Sequence, residues 1–336
     1  MKKHNEIVPN QISEETKVSM RTRIISAIVA IVIGVPCILI GDLFFTALVL
    51  FILMCSTYEI IHCAKKKYNI ALYIVAFVLA ILMTYWPIIR ALPMFVNGDK
   101  EFSWHIYPMF GEIHISILVL ALGAFGVFTM VLVDKGFTVR DACFIFTMLL
   151  IITIGYQSAL FIRYLPSQAH VHDPGTNYFN LYDNLESSLL IIYVLLGTFM
   201  TDIGAYFVGV FFGKHKMLER ISPKKTWEGF FGGVIISSAV SFGFAMIFLC
   251  TKHPLVDGIL DLDHWYLVLI LSLVIPLASV LGDLVFSSAK RHFDIKDFGN
   301  IIPGHGGMLD RFDSVIFTMI TTGVFLSLIQ YWSQYK

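Results

Sequence analysis

The chain has 336 residues, of which 57% are hydrophobic and 14% charged, and its mean hydropathy is +0.76. Soluble domains carry about 25% charged residues, so this composition excludes an ordinary soluble protein. The formal net charge of zero gives no electrostatic basis for binding nucleic acid, and the five cysteines, which form no CxxC pair, give none for a zinc site or a disulfide framework.

Long apolar runs recur along the sequence. About 20 apolar residues are needed to cross roughly 30 Å of hydrocarbon as a helix. The first run follows a polar segment similar to the start of a signal peptide, but it is too long and lacks a small-residue cleavage site, so we predict a retained span. The sequence therefore predicts an all-α integral membrane protein with about nine transmembrane helices, at 24–41, 43–61, 70–89, 113–133, 142–162, 188–212, 230–250, 265–286 and 314–332.

The positive charges are distributed unevenly between alternate loops. On the side of the N-terminus lie 19 of the 24 Lys and Arg residues. By the positive-inside rule this side is cytoplasmic, which with nine spans places the C-terminus outside.

Polar residues concentrate in the last third of the chain. We therefore predict a polar cytoplasmic tail at 1–23, a transmembrane scaffold at 24–187 and a catalytic transmembrane region at 188–336, with its active site on the cytoplasmic face.

Two aspartates fall inside predicted spans. Asp202 interrupts the sixth run and Asp283 lies near the end of the eighth. A charged residue at the centre of a spanning helix costs at least about 2.5–3.5 kcal/mol, and is normally retained for a partner or a function. A structural ion pair or hydrogen bond would also explain each of them. Together with Asp310, at the start of a third helix, they predict a set of oxygen ligands for Mg²⁺.

The segment "GHGGMLDRFD" leads into the last span. Asp310 and Asp313 are three residues apart, so they share a face if the segment is helical. Taken alone, they fit an N-terminal helix cap. Three glycines allow close backbone approach to a ligand, and N–H groups that lead into a helix form an anion site. These glycines are Gly304, Gly306 and Gly307.

Basic residues on the same side supply the other half of a phosphate site. Ser222 reads as an N-cap and Pro223 as a first helical residue, which places Lys224 and Lys225 in the first turn of the seventh span. His305 has no second histidine at metal-ligand spacing, so it suits a hydrogen bond or a phosphate contact better than zinc. Ordinary positive-inside topology is the alternative explanation for all of these cations. Three more cations follow: Lys290, Arg291 and Lys296.

Carboxylates, cations and glycine-lined backbone at a membrane surface are the groups needed to transfer a nucleotidyl or phosphoryl group to a lipid. In such reactions the protein mainly positions groups and neutralises charge.

The segment that leads into the last span resembles the signature of a known family. The segment "SSAKRHFDIKDFGNIIPGHGGMLDRFD" (287–313) is similar to the signature of the phosphatidate cytidylyltransferases, also called CDP-diacylglycerol synthases. The strong resemblance covers about 198–314, and Ala289 departs from the larger aliphatic residue expected there. The matching positions are Ser287, Lys290, Arg291, Lys296, Asp297, Pro303, His305, Gly306, Gly307, Asp310, Arg311 and Asp313.

The resemblance implies a polytopic, dimeric membrane enzyme that uses CTP, phosphatidic acid and Mg²⁺ among membrane lipids. It assigns Asp283 and Asp310 as metal ligands, with Asp202, Asp297 and Asp313 as further ligands or as supports for them. The other catalytic positions it implies are Lys290, Arg291, Asp297 and Asp313. The substrate-binding positions it implies are Lys224, Lys225, Ser287, Lys296, His305, Gly306, Gly307 and Arg311.

The sequence leaves two other functions open. A CTP-dependent polyprenol kinase would share a CTP site in the membrane but transfer the γ-phosphoryl group to an alcohol. An ion-coupled transporter would use Asp202 and Asp283 to carry ions. It would need polar residues at several depths, whereas here they gather at one surface.

Overall fold

The computed structural model describes residues 14–89, 117–168 and 185–333. Within these ranges the chain forms nine helices of at least 15 residues and one short β-hairpin. In chain order they are α1 (Glu14–Ile40), α2 (Asp42–His62), α3 (Ile70–Thr84), α4 (Ile117–Val133), α5 (Val139–Gln168), α6 (Leu189–Phe212), β1 (Lys216–Leu218), β2 (Ser222–Thr226), α7 (Trp227–Cys250), α8 (Trp265–His292) and α9 (Leu309–Ser333).

The expectation of a helical membrane protein is confirmed in outline. Among the described residues, seven helices are long and apolar enough to cross a membrane. The other two, α3 and α4, have 15 and 17 residues. Each lies within a predicted span, and residues 113–116 of the fourth predicted span lie outside the described residues. Helix α1 begins at Glu14, so the predicted polar tail already turns helical before residue 24.

The predicted helix start at Ser222 is wrong. Residues Ser222–Thr226 form strand β2, which pairs antiparallel with β1. Proline is tolerated here because it lies on a strand of a two-stranded hairpin. The N-cap is instead Thr226, whose hydroxyl accepts a hydrogen bond from the Gly229 N–H. Lys224 and Lys225 therefore project from a strand that precedes α7, not from its first turn.

Helix α8 extends beyond the predicted end at 286, as far as His292. Lys290, Arg291 and His292 form its last turn, where cations favourably oppose the partial negative charge of the helix C-terminus. Ser287 and two of the signature's cations, Lys290 and Arg291, are therefore fixed on a helix and not on a loop.

Small residues allow the helices around the site to pack closely. A Cβ placed on Gly233 of α7 would lie 2.8 Å from the Thr201 carbonyl oxygen of α6. A Cβ on Gly282 of α8 would lie 2.8 Å from the Asp313 carbonyl oxygen of α9. Only glycine permits such backbone approach between membrane helices. As a result α6, α8 and α9 bring their acidic residues to one place.

Candidate active site

Two lysine–aspartate pairs form the centre of the candidate site. The first, which we call the open pair, joins Lys225 Nζ to Asp283 Oδ2 at 2.5 Å, and the two side chains are 26% and 27% exposed. Ser287, one helical turn after Asp283, donates its hydroxyl to Asp283 Oδ1 at 3.0 Å. The open pair thus links the hairpin to α8 and remains accessible to a ligand.

The second pair, which we call the closed pair, joins Lys290 Nζ to Asp310 Oδ1 at 2.9 Å, with side chains 10% and 5% exposed. The other oxygen of Asp310 accepts the N–H groups of Phe298 and Gly307, at 2.8 and 3.0 Å. Lys290 also lies 3.7 Å from Asp313 Oδ2. The closed pair therefore holds together the end of α8, the following loop and the start of α9.

Asp202 and Asp313 complete a cluster of acidic groups around the open pair. Asp202, on α6, lies within electrostatic range of Asp283 and Lys225. Asp313 lies within the same range of Asp283, Lys290 and Asp202. One region thus contains three carboxylates, from three helices, and two lysines. The carboxylates repel one another, and the two lysines offset only part of that repulsion.

A carboxylate from the N-terminal half of the chain reaches this loop. Glu59 of α2 is 1% exposed, and its two oxygens accept the N–H groups of Met308 and Leu309 at 2.8 and 2.7 Å. These N–H groups belong to the start of α9, which the sequence offered as an anion site. Within the described residues the protein's own carboxylates therefore bind these donors. A phosphate contact from the Gly307 N–H would have to displace Asp310.

Helix α1 also contacts the loop between α8 and α9. The hydroxyl of Ser26 lies 2.7 Å from His305 Nδ1, and the Arg311 guanidinium donates to the His305 carbonyl oxygen. Burial lowers the pKa of His305 below its ordinary value, and the nearby cations Arg311 and Arg23 lower it further. His305 and Arg311 thus stabilise the loop, and a direct contact of either with phosphate stays a prediction.

Besides the open pair, Glu228 and Arg291 hold the hairpin against the helices. Glu228, in the first turn of α7, accepts the backbone N–H groups of Lys214 and His215 and contacts the His215 ring at 2.6 Å. Arg291 donates to the Ile221 carbonyl oxygen at 3.2 Å and to the Ile295 carbonyl oxygen at 3.0 Å. Arg291 therefore joins the hairpin to the loop, and a role for it in phosphate binding stays a prediction.

Three predicted residues lie toward the rim of the site. The side chains of Lys224, Lys296 and Asp297 are exposed. Asp297 packs beside Gly306, where an added Cβ would lie 3.3 Å from the Asp297 Cβ. The structure places these residues on the hairpin and loop that border the two pairs, where they remain free to meet a ligand.

Sequence reasoning missed Glu59 and Ser26, both of which lie in spans that were predicted to be scaffold. The signal for Glu59 was present, because an ionisable residue inside an apolar run is a functional candidate by default. Ser26 carried no such signal, since serine is common in membrane helices.

The residues fit a hard cation only in part. Asp283, Asp202 and Asp313 offer oxygen atoms of the kind that Mg²⁺ prefers. However, Asp283 is already paired with Lys225, and both oxygens of Asp310 are engaged. Among the residues that the structure describes, no group of three or more His, Cys, Asp or Glu side chains is arranged to hold a metal ion.

Comparison with known proteins agrees with the signature. The model of the cytidylyltransferase family matches residues 21–329. A protein named phosphatidate cytidylyltransferase from Staphylococcus epidermidis is 32% identical over 309 residues, which cover 91% of this chain and 99% of that protein. Its namesake from Bacillus subtilis is 31% identical over 302 residues, covering 90% and 96%. The chain belongs to the cytidylyltransferase family.

Proposed function

We propose that this protein transfers CMP from CTP to phosphatidic acid, giving CDP-diacylglycerol and pyrophosphate for phospholipid synthesis. The observation that carries the proposal is the match to phosphatidate cytidylyltransferases along nearly the whole chain. The geometry supports it, because Asp283 of the accessible open pair and its acidic neighbours Asp202 and Asp313 lie on helices long enough to span a membrane. A lipid substrate in the bilayer and a water-soluble nucleotide can both reach such a place.

The reaction needs little covalent chemistry from the protein. An oxygen of the phosphatidate monoester attacks the α-phosphorus of CTP, the new P–O bond joins CMP to the lipid, and the bond to the β-phosphate breaks to release pyrophosphate. A phosphate monoester is largely ionised near pH 7, since its second pKa is about 6. No strong general base is required, which suits a site that consists of paired lysines and carboxylates.

The side chains of this chain then have distinct roles. Lys225, with Lys224 beside it on the hairpin, neutralises phosphate charge as a point charge. Lys290 holds Asp310 and Asp313 at the start of α9. Arg291 and Arg311 fix the hairpin and the loop that border the site. Positioning and charge neutralisation are the main contributions a protein makes to such a transfer.

Magnesium is part of the proposal. Bound Mg²⁺ would neutralise charge on the phosphates of CTP and stabilise the pyrophosphate that leaves. Asp283 and Asp202 are the residues best placed to hold it, because they lie on two helices within electrostatic range of each other and neither is buried. Asp310 would take part only by giving up one of its present partners.

The topology and the assembly are proposed on separate grounds. We infer nine spans, with α3 and α4 crossing the membrane beside the seven longer helices, a cytoplasmic N-terminus and an outside C-terminus. The bias of Lys and Arg toward one set of loops supports a site on the cytoplasmic face. Labelling of single cysteines at exposed loop positions in intact cells tests this orientation.

The proposal that the protein forms a homodimer rests on the family resemblance alone. Measurement of its molecular mass in detergent tests it.

One labelling experiment tests the function. Purified full-length protein is given phosphatidic acid, Mg²⁺ and CTP that carries its label at either the α- or the γ-phosphorus. We expect the α label to enter the lipid and the γ label to leave as pyrophosphate. Transfer of the γ label alone would contradict the proposal and indicate a lipid kinase. The absence of label from any lipid would contradict both enzymes.

A further inference from the structure

We propose that Glu59 is a positioning residue for the transfer reaction. From α2 it fixes the backbone at the start of α9 and thereby sets the direction in which Asp310 presents its carboxylate. This inference rests on the proposed function. It gives α2, in the N-terminal half of the chain, a defined part in a site whose lysine–aspartate pairs lie in the C-terminal half.

The first support is the geometry of the contact. Each oxygen of Glu59 accepts one N–H, from Met308 at 2.8 Å and from Leu309 at 2.7 Å. The first N–H groups of a helix have no partner within the helix, so a carboxylate that binds two of them both satisfies the donors and opposes the helix dipole. Glu59 therefore holds two consecutive peptide units rather than a single atom.

The second support is the space left for this carboxylate. A Cβ added to Gly307 would lie 2.7 Å from Glu59 Oε1, and one added to Gly299 would lie 2.6 Å from the same atom. Real Cβ atoms do not approach oxygen so closely without displacing it. Two glycines of the signature segment thus leave room for a side chain that comes from another part of the chain.

The third support is the short path from Glu59 to the closed pair. Leu309, whose N–H Glu59 binds, is the residue directly before Asp310. Gly307, whose N–H binds Asp310 Oδ2 at 3.0 Å, is directly before Met308. A shift of the peptide units at 308 and 309 therefore moves both Asp310 and one of its hydrogen-bond donors. Glu59 itself contacts neither of the two lysines, so it acts through Asp310.

The test compares E59Q with wild-type protein in the full-length enzyme. Glutamine keeps the size of the side chain but turns an NH₂ donor toward one of the two N–H groups. We expect kcat to fall by about tenfold to a hundredfold, the scale of a misplacement of about 1 Å. The KM for CTP should change by less than about threefold, because Glu59 binds backbone and not substrate. Hydrogen exchange at residues 307–309 should become faster.

D141N is the matched control. Asp141 is also a buried acid near a helix start, where it accepts the Thr138 N–H at 3.0 Å and pairs with Lys66. We expect D141N to lower the melting temperature while kcat per folded molecule and exchange at 307–309 stay at wild-type values. An E59Q variant that behaves like D141N would overturn the proposal, since Glu59 would then act on stability alone.

A second variant covers the case in which E59Q does not fold. E59D keeps the charge but is one methylene shorter, so we expect a smaller loss of kcat and a smaller rise in exchange. Wild-type values of both kcat and exchange in E59D would contradict the proposal.

If wild-type protein forms no CDP-diacylglycerol, the proposed function fails. The exchange rates at 307–309 then decide separately whether Glu59 holds this backbone.

Discussion

The open and closed pairs contain the same two residue types at nearly the same separation, yet their surroundings differ. Lys225 and Asp283 are each about a quarter exposed, at 26% and 27%. Lys290 and Asp310 are 10% and 5% exposed, and Asp310 also binds two backbone N–H groups. One pair can exchange partners with a ligand at little cost, and the other cannot.

This difference indicates that the two pairs have different roles in the site. A buried pair in which both carboxylate oxygens are hydrogen-bonded fixes the backbone around it, and removing one partner leaves an uncompensated charge. An exposed pair contributes little to stability and keeps its charges available. We therefore expect the closed pair to hold the site in shape and the open pair to meet the substrate.

The largest expected effect is on the closed pair. K290M keeps the length of the side chain but leaves Asp310 and Asp313 without their cation. Breaking a buried pair in this way costs about 3–5 kcal/mol, so we expect a large fall in the melting temperature of the purified protein in detergent.

K66M provides the control for this experiment. Lys66 pairs with Asp141 at 2.7 Å, but its own side chain is 44% exposed. Because solvent reaches this lysine and can replace part of its interaction with Asp141, we expect its loss to lower the melting temperature less than the loss of Lys290 does. Equal shifts for K66M and K290M would show that the closed pair has no special structural role.

The next largest effect is expected on turnover, at the aspartates of the two pairs, Asp283 and Asp310. We expect D283N and D310N each to lower kcat by at least about a hundredfold, the scale of losing one preorganised electrostatic contact. Only D310N should also lower the melting temperature, because only Asp310 holds buried backbone donors. Rates of CDP-diacylglycerol formation and melting curves measure both effects. Near-normal turnover in both variants would remove the two residues from the chemistry.

The difference between the pairs could not be predicted from the sequence. Hydropathy located the helices, and the spacing within the signature identified Lys290, Asp310 and Asp313, because both are local properties. The partners of these residues depend on contacts across the fold. Lys225 meets Asp283 only because residues 216–226 form a hairpin where a helix start was expected. Glu59 meets the loop across about 250 residues, a separation that no local pattern encodes.

A smaller effect is expected at Lys225 of the open pair. K225M removes one charge-assisted phosphate contact, which is worth about 1.5–3 kcal/mol, so the KM for CTP should rise by roughly tenfold or more. Salt screens exposed charges, so the KM of wild-type protein should rise more steeply with KCl than that of the variant. K216M, at an exposed position on the neighbouring strand, is the control. Equal KM values for K225M and wild-type protein would place the phosphates elsewhere.

The smallest effect concerns His305, which touches neither pair. Its pKa is lowered in the folded protein, first by burial and then by Arg311 and Arg23. The unfolded chain, with an ordinary pKa of about 6.5, therefore binds a proton before the folded protein does as the pH falls. The contribution of His305 to stability is fully present above about pH 6.5 and is lost as the pH falls through the folded pKa.

H305Q tests this contribution, because glutamine can keep the contact with Ser26 but does not titrate. We expect the melting temperature of wild-type protein to fall more between pH 7 and pH 5 than that of the variant, with little difference above pH 7. Both pairs remain intact in H305Q, so turnover close to the wild-type value at pH 7.5 would rule out the predicted phosphate contact of His305. A large loss of turnover at that pH would instead assign His305 a direct contact with the substrate, and would extend the open part of the site from the hairpin to the loop.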